Sequence, residues 1–289
     1  MKRKRVRDWV EATRILAFPP SVVQMAVMAA ALGWRHGGCD WINIALSVLV
    51  LVCLHVGTNI LGDCRDHETG VDFPGAPNDV TWIQDGRFAV RELRMFAASF
   101  VAVGVALGLV VAMRSSWSVL LIGAAGVVLA LGYPRLKYHA LGDVAVFLAF
   151  TVLPAVGIGI VALGRFLPET LLVALPPGLV TVAILNANNI RDVESDARAG
   201  CRTLPMVVGV DAAKWMYYME VAVAYALLPV LVVAGLAPYA SAIVFLTAPF
   251  AVRNILAMRR GEVSGLVVPS AMLQLAFGAL FAVSFLVAF

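Results

Sequence analysis

The sequence predicts an all-α, polytopic membrane protein, and three observations carry that expectation. Hydrophobic residues make up 61% of the 289 positions and charged ones 14%, with a mean hydropathy of +0.90, a balance no soluble domain of this length has. Nine apolar stretches are long enough, or nearly so, to cross a bilayer: 15–34, 42–62, 93–113, 117–133, 143–163, 168–190, 213–235, 237–252 and 266–288. In hydrocarbon each must be a transmembrane helix, because no water is there to satisfy backbone groups. The third observation is charge asymmetry: with a cytoplasmic N-terminus, 19 of the 22 Lys and Arg residues lie on that side, all but Arg35, Arg114 and Arg165. The net charge of +4 then reflects topology, and no nucleic acid partner is expected.

Residues 1–14 form a basic, partly amphipathic cytoplasmic segment expected to lie on the anionic inner leaflet. The apolar run after it is full-length and has no small-residue cleavage pattern, so it reads as a retained first helix, started by Phe18-Pro19-Pro20. The second span ends in a polar cluster followed by loop 63–92, too long for a plain connection and so expected to be functional. Helix signals around Arg87 to Arg94 suggest that its second half folds back as an interfacial helix, while Asp79 and Asp85 read as loop charges. Spans three and four meet at Arg114-Ser115-Ser116, with Trp117 as an interface anchor. The inner loop 133–143 is dense in polar and aromatic groups, and His139 reads as interfacial, as does Tyr138 in the first instance. Span six ends in Asn188 to Leu204, the start of a second active loop, 191–214. Arg253, Arg259 and Arg260 read as headgroup contacts, and Gln274 in the last span as a helix-to-helix hydrogen bond. Cys39, Cys53, Cys64 and Cys201 lack metal spacing and read as free thiols.

Eleven of the 18 acidic residues fall in loops 63–92 and 191–214. Asn188, Asp192 and Asp196 recur every four residues, which places them on one helix face, and Asn59, Asp63 and Asp66 form a similar set four spans earlier. Carboxylates so close repel unless a cation holds them, and Mg²⁺ takes one or two carboxylates plus phosphate oxygens. Arg65, Lys137, Arg191, Arg198 and Arg202 alternate with or face them. Carboxylates, Mg²⁺ and cations are what a departing diphosphate needs, and the Leu-, Val- and Phe-rich spans can accept a long apolar tail. The implied site is a cavity with a diphosphate at its cytoplasmic mouth, fit for an isoprenyl diphosphate.

The two motifs on nine spans resemble the UbiA superfamily of intramembrane aromatic prenyltransferases over nearly the whole chain. Asn59-Ile-Leu-Gly-Asp63-Cys-Arg-Asp66-His-Glu-Thr-Gly70-Val-Asp72 is similar to the first motif of its menaquinone-pathway branch, the 1,4-dihydroxy-2-naphthoate polyprenyltransferases. Asn188-Asn-Ile-Arg191-Asp192-Val-Glu-Ser-Asp196-Ala-Arg-Ala-Gly200-Cys-Arg202-Thr-Leu is similar to the second, and Leu136-Lys137-Tyr138-His139-Ala-Leu-Gly142-Asp143 to the loop between spans four and five. The resemblance implies one domain, 1–289, in the cytoplasmic membrane of a prokaryote, with nine helices around a central cavity opening on the cytoplasmic side. It implies that Asp63, Asp66, Asp72, Asp192 and Asp196 hold the Mg²⁺–diphosphate with Asn59 and Asn188 in support, and that Lys137, Arg191 and Arg202 contact diphosphate or substrate carboxylate. Tyr138 joins the substrate contacts. Gly62 stands where an Asn often precedes the first Asp, and Cys201 where a Lys is frequent.

The expected partners are a polyprenyl diphosphate, an aromatic acid and membrane lipids. The expected reaction is prenyl transfer to dihydroxynaphthoate with loss of CO₂. Two other enzyme readings keep the scaffold: a different aromatic acceptor, or a terpene cyclase with none. A secondary transporter would need carboxylates at the midplane, whereas these cluster at span ends.

Overall fold

The computed structural model describes residues 5–72 and 82–288, Leu16 by its backbone alone; Asp79 lies outside the described residues. All regular elements among them are helical. A short α1 (Val6–Ala12) precedes α2 (Pro19–His36), α3 (Trp41–Thr69), α4 (Val90–Arg114) and α5 (Val119–Lys137). Next come α6 (Gly142–Phe147) and α7 (Leu153–Leu163), joined by a π-helical turn, Leu148–Val152, into one span. The rest is α8 (Glu169–Arg191), two short helices α9 (Val193–Arg198) and α10 (Leu204–Val208), α11 (Val210–Val233), a 3₁₀ stretch Tyr239–Thr247 running into α12 (Ala248–Arg259), and α13 (Val267–Leu286).

Eight of these helical runs are long and apolar enough to cross a membrane. The stretch expected as the first span is α2, only 18 residues long and carrying Gln24, Arg35 and His36. By length and composition it is not among those eight; α2 packs against α8 and α13, and Gly278 of α13 lies so close to Val23 that a methyl group there would collide with it. Gly178 of α8 is pressed in the same way against Thr151 of the π-helical turn, which is how the bent α6–α7 span reaches α8.

Two expectations change. Residues 90–94 are the first turn of α4 itself, so loop 63–92 does not fold back as an interfacial helix there. Gln274 is fully buried, yet neither its Oε1 nor its Nε2 has a partner, so the helix-to-helix hydrogen bond expected of it is not made. The four cysteines are free. Residues 5–14 also do more than rest at a surface: Trp9 packs edge-on against Phe88 and Phe96, at 4.6 and 4.7 Å between centroids, and Ala12 is buried. That anchoring carries Arg14 to the acidic ends of the long helices.

At the opposite end, Arg35 faces Glu169 at 3.7 Å and Arg114 faces Asp40 at 3.7 Å. Two of the three cations that break the charge asymmetry are thus held in ion pairs.

Candidate active site

Helix α3 runs without a break through Asn59, Asp63 and Asp66 and stops only at Gly70, whose φ of 78° reverses the chain. Asp63 is buried and ion-pairs with Arg14. Asp66 accepts hydrogen bonds from the Lys137 ammonium, at 3.1 Å, and from the Tyr138 hydroxyl. Beyond the turn Asp72 is buried, its amide donating to the Asp66 carbonyl at 3.1 Å. Asn59 has a buried amide nitrogen with no partner. A side chain at Gly62 would meet open space, so an Asn there would fit.

The second motif is not one continuous helix face. Helix α8 ends at Arg191, Asp192 leaves helical geometry at φ −95° and ψ 7°, and Asp196 sits on the separate α9. Asp192 takes two bonds from the Arg191 guanidinium, at 2.6 and 2.7 Å, and one from Asn188 Nδ2 at 3.2 Å. The same guanidinium donates to Asn188 Oδ1 at 2.9 Å.

Asp196 differs from the rest. It is 1% exposed, and neither of its carboxylate oxygens has a hydrogen-bond partner. Burial pushes its carboxyl up to about 6; Lys137 pulls the other way, and Asp192 and Asp66 add to the rise. Cys201 is buried and donates its amide to the Asp196 carbonyl at 2.9 Å; burial first, and Asp196 next, push its thiol up to about 11.

Lys137 and Tyr138 join the two motifs. Lys137 is bonded to Asp66 and its charge reaches Asp196. Tyr138 receives the Arg202 amide on its carbonyl at 3.2 Å, and His139 and Arg202 pair as a single bridge. Its phenol stays protonated, through burial and then the adjacent Asp66. The hydroxyl of Thr69 lies 3.2 Å from it, and Arg65 sits over its ring at 6.0 Å. Tyr138 thus lies between the two motifs, its hydroxyl on Asp66 and its carbonyl on the Arg202 amide.

Other predicted members are less engaged. The Arg202 side chain is exposed, Arg198 pairs with Glu194 at 3.5 Å, and Asp85 pairs with Arg87 at 3.2 Å in the loop. Among the described residues no three Asp, Glu, His or Cys side chains converge as a ready cage for a metal. The donor set still suits a divalent cation: two bare oxygens on buried Asp196, with Asp192 and Asp66 close enough to shift its protonation.

Sequence reasoning missed Arg14, because its partner Asp63 lies 49 residues away and no spacing links them. It also missed Glu220, an acidic residue inside span α11 and so a legible signal. Asn186 Nδ2 donates to Glu220 at 3.2 Å, and Asn189 Nδ2 to Asp143 at 3.2 Å, a buried polar layer behind the second motif.

Beyond the first motif, α3, α4, α5 and α7 line an apolar cavity of about 470 Å³ that is open at the surface of the bundle, its walls including Leu51, Leu54, Val105, Val127 and Ile158. It begins at Leu54, just over one helical turn from Asn59.

Residues 23–265 match the UbiA prenyltransferase family. The chain is 27% identical over 220 residues to a 1,4-dihydroxy-2-naphthoate octaprenyltransferase of Haemophilus influenzae, covering 72% of this chain and 71% of that one. It is 29% identical over 231 residues to the protein of the same name from Mycobacterium tuberculosis, covering 78% of each. Among solved structures it superposes on the apo form of a UbiA homologue from Aeropyrum pernix with a TM-score of 0.64 at 20% identity, over 92% of this chain and 97% of that one. A UbiA homologue from Archaeoglobus fulgidus bound to GPP and Mg²⁺ superposes at 0.59 and 14% identity, over 91% and 99%.

Proposed function

The chain belongs to the UbiA prenyltransferase family and is an integral membrane prenyltransferase, and we propose that it transfers a polyprenyl group from its diphosphate to 1,4-dihydroxy-2-naphthoate, with loss of CO₂. The observation that carries this reading is the meeting of both acidic motifs around Lys137 and Tyr138 at one end of the bundle, next to an apolar cavity. The acceptor is suggested by the two relatives' names. The whole chain, 1–289, would work as one domain, with the acidic end facing the cytoplasm as the Lys and Arg distribution favours.

In this reading Asp63, Asp66, Asp72, Asp192 and Asp196 form the carboxylate set, and Asn59 and Asn188 support it. The bare oxygens of Asp196 and the Mg²⁺ in the Archaeoglobus structure support a divalent ion as cofactor. When bound, Mg²⁺ supplies charge for the leaving diphosphate and lowers the cost of breaking its C–O bond. Lys137, Arg191 and Tyr138 contribute donors to the same oxygens, Arg191 by releasing part of its hold on Asp192. Arg202, exposed in the structure, would approach the substrate carboxylate or diphosphate from the loop. The apolar cavity takes part of the prenyl chain and keeps water from the allylic cation, while the electron-rich ring attacks it.

Purified protein with Mg²⁺, farnesyl or geranylgeranyl diphosphate and a panel of aromatic acids tests this. Diphosphate release with a prenylated, decarboxylated product only from dihydroxynaphthoate is the expected outcome. Release with hydroxybenzoate instead would change the acceptor, and release without acceptor, giving a cyclised hydrocarbon, would make the protein a cyclase.

A further inference from the structure

His55 occupies the junction between the carboxylates and the apolar cavity. It precedes Asn59 and Asp63 by four and eight residues, so the three share one face of α3, and the rise per residue puts His55 about 6 Å before Asn59 and about 12 Å before Asp63. Its surroundings mark the end of the cavity: Leu51 and Leu54 of α3, Met25 one turn beyond Ser21, and Ala149 next to Phe150 all line that space. The imidazole is fixed on both sides. Its Nδ1 lies 2.7 Å from the Ser21 hydroxyl, and its ring meets Phe150 edge-on at 4.8 Å and Phe18 at 6.1 Å.

A prenyl diphosphate with its head at Asp63 and Asp66 and its tail in the cavity must run past this point, and its reactive first carbon stands next to the head. An attacking ring carbon has to come within about 3–3.5 Å of that carbon. The acceptor ring therefore belongs beside His55, which Phe18 and Phe150 flank, with its carboxylate toward the end of the cluster where Arg14 holds Asp63. Ser21 engages one imidazole nitrogen, and whichever tautomer results leaves Nε2 as a single defined partner for a phenolic hydroxyl.

We propose that His55, held by Ser21 and flanked by Phe18 and Phe150, is the residue that binds the hydroxyl of a hydroxylated aromatic acid and sets its ring against the prenyl carbon. This rests on the prenyl-transfer reading above and names the acceptor half of that site. His55 acts by positioning, and no proton transfer is asked of it.

The test is steady-state kinetics in both substrates, with thermal-shift binding of 1,4-dihydroxy-2-naphthoate and 4-hydroxybenzoate as an independent measurement. His55→Leu should raise KM for the aromatic acid about tenfold, the scale of one buried hydrogen bond, and leave KM for the prenyl diphosphate within about twofold. His55→Gln should restore most of the loss, and Ser21→Ala, which only frees the ring, should cost about threefold in the same KM. The aromatic acid should stabilise the wild-type protein and not His55→Leu. An unchanged acceptor KM in His55→Leu, or equal rises for both substrates, overturns the proposal. If His55→Leu does not fold, Ser21→Ala decides it by the same two criteria. A wild-type protein that releases diphosphate with no aromatic acid sinks the proposed function, whereas loss of acid-induced stabilisation in the variants is read without turnover and speaks to His55 alone.

Discussion

The two acidic motifs look like copies in sequence and are built differently. The first lies on an unbroken helix, and its inner carboxylates are already matched to protein cations: Asp63 to Arg14 and Asp66 to Lys137. In the second, the helix breaks at Asp192, which Arg191 neutralises, and Asp196 is left buried with two bare oxygens. Burying a charge without a partner is costly, so Asp63 and Asp66 are satisfied without a ligand and Asp196 is not. The difference teaches that a cation would enter against Asp196 first and would have to compete with Arg14 and Lys137 at the other side.

The largest effects test whether both halves are needed. Asp63→Asn and Asp192→Asn should each lower kcat by about 100- to 1,000-fold with membrane insertion intact, the range for removing one electrostatic contact to a transition state. Full activity in either would remove that motif from the chemistry.

Stability in metal-free detergent should split the two motifs in sign. Asp63→Asn leaves Arg14 without its partner and should destabilise by about 1–2 kcal/mol, whereas Asp196→Asn removes an unpaired buried charge and should stabilise by about 1–3 kcal/mol. The same contrast has a pH signature. With its carboxyl raised from 3.8 to about 6, Asp196 favours the folded state while protonated, so its contribution is fully present below about pH 4 and lost as pH rises through 6. Tm of the wild-type protein should fall across that window relative to Asp196→Asn. A flat difference would mean that Asp196 has a partner in solution.

A smaller loss is expected at the bridge. Tyr138→Phe removes the hydroxyl bond to Asp66 and should lower kcat/KM by about 3- to 10-fold. The smallest effect comes from making the second motif resemble the first: Cys201→Lys sets a cation near Asp196, and the Mg²⁺ needed for half-maximal activity should rise about 2- to 5-fold. A fall in that requirement would show that the added charge serves the diphosphate and not the carboxylate.

Much of this was legible because it is written in local pattern. The spans and the two acidic stretches follow from hydropathy and spacing, and the cysteines are free as their spacing indicates, whereas Lys137 and Tyr138 were singled out as site residues by the family resemblance and not by any local period. The packing of the first expected span was not legible, since an apolar stretch that ends up against other helices, as α2 does, looks the same in sequence as one facing lipid. Arg14 and His55 were not legible at all, because each gains its meaning from residues on other elements: Asp63 for one, Ser21 and Phe150 for the other.

The sequence by itself determined that the chain is a helical membrane protein, which end of the bundle is acidic, and that carboxylates and cations of a kind suited to a diphosphate gather there, since each follows from residue type and short-range period. Only the tertiary structure decided how that acidic end is arranged. Ion pairing and burial are properties of side chains brought together from distant helices, and no short-range period records that Asp63 is taken by Arg14 while Asp196 is left bare.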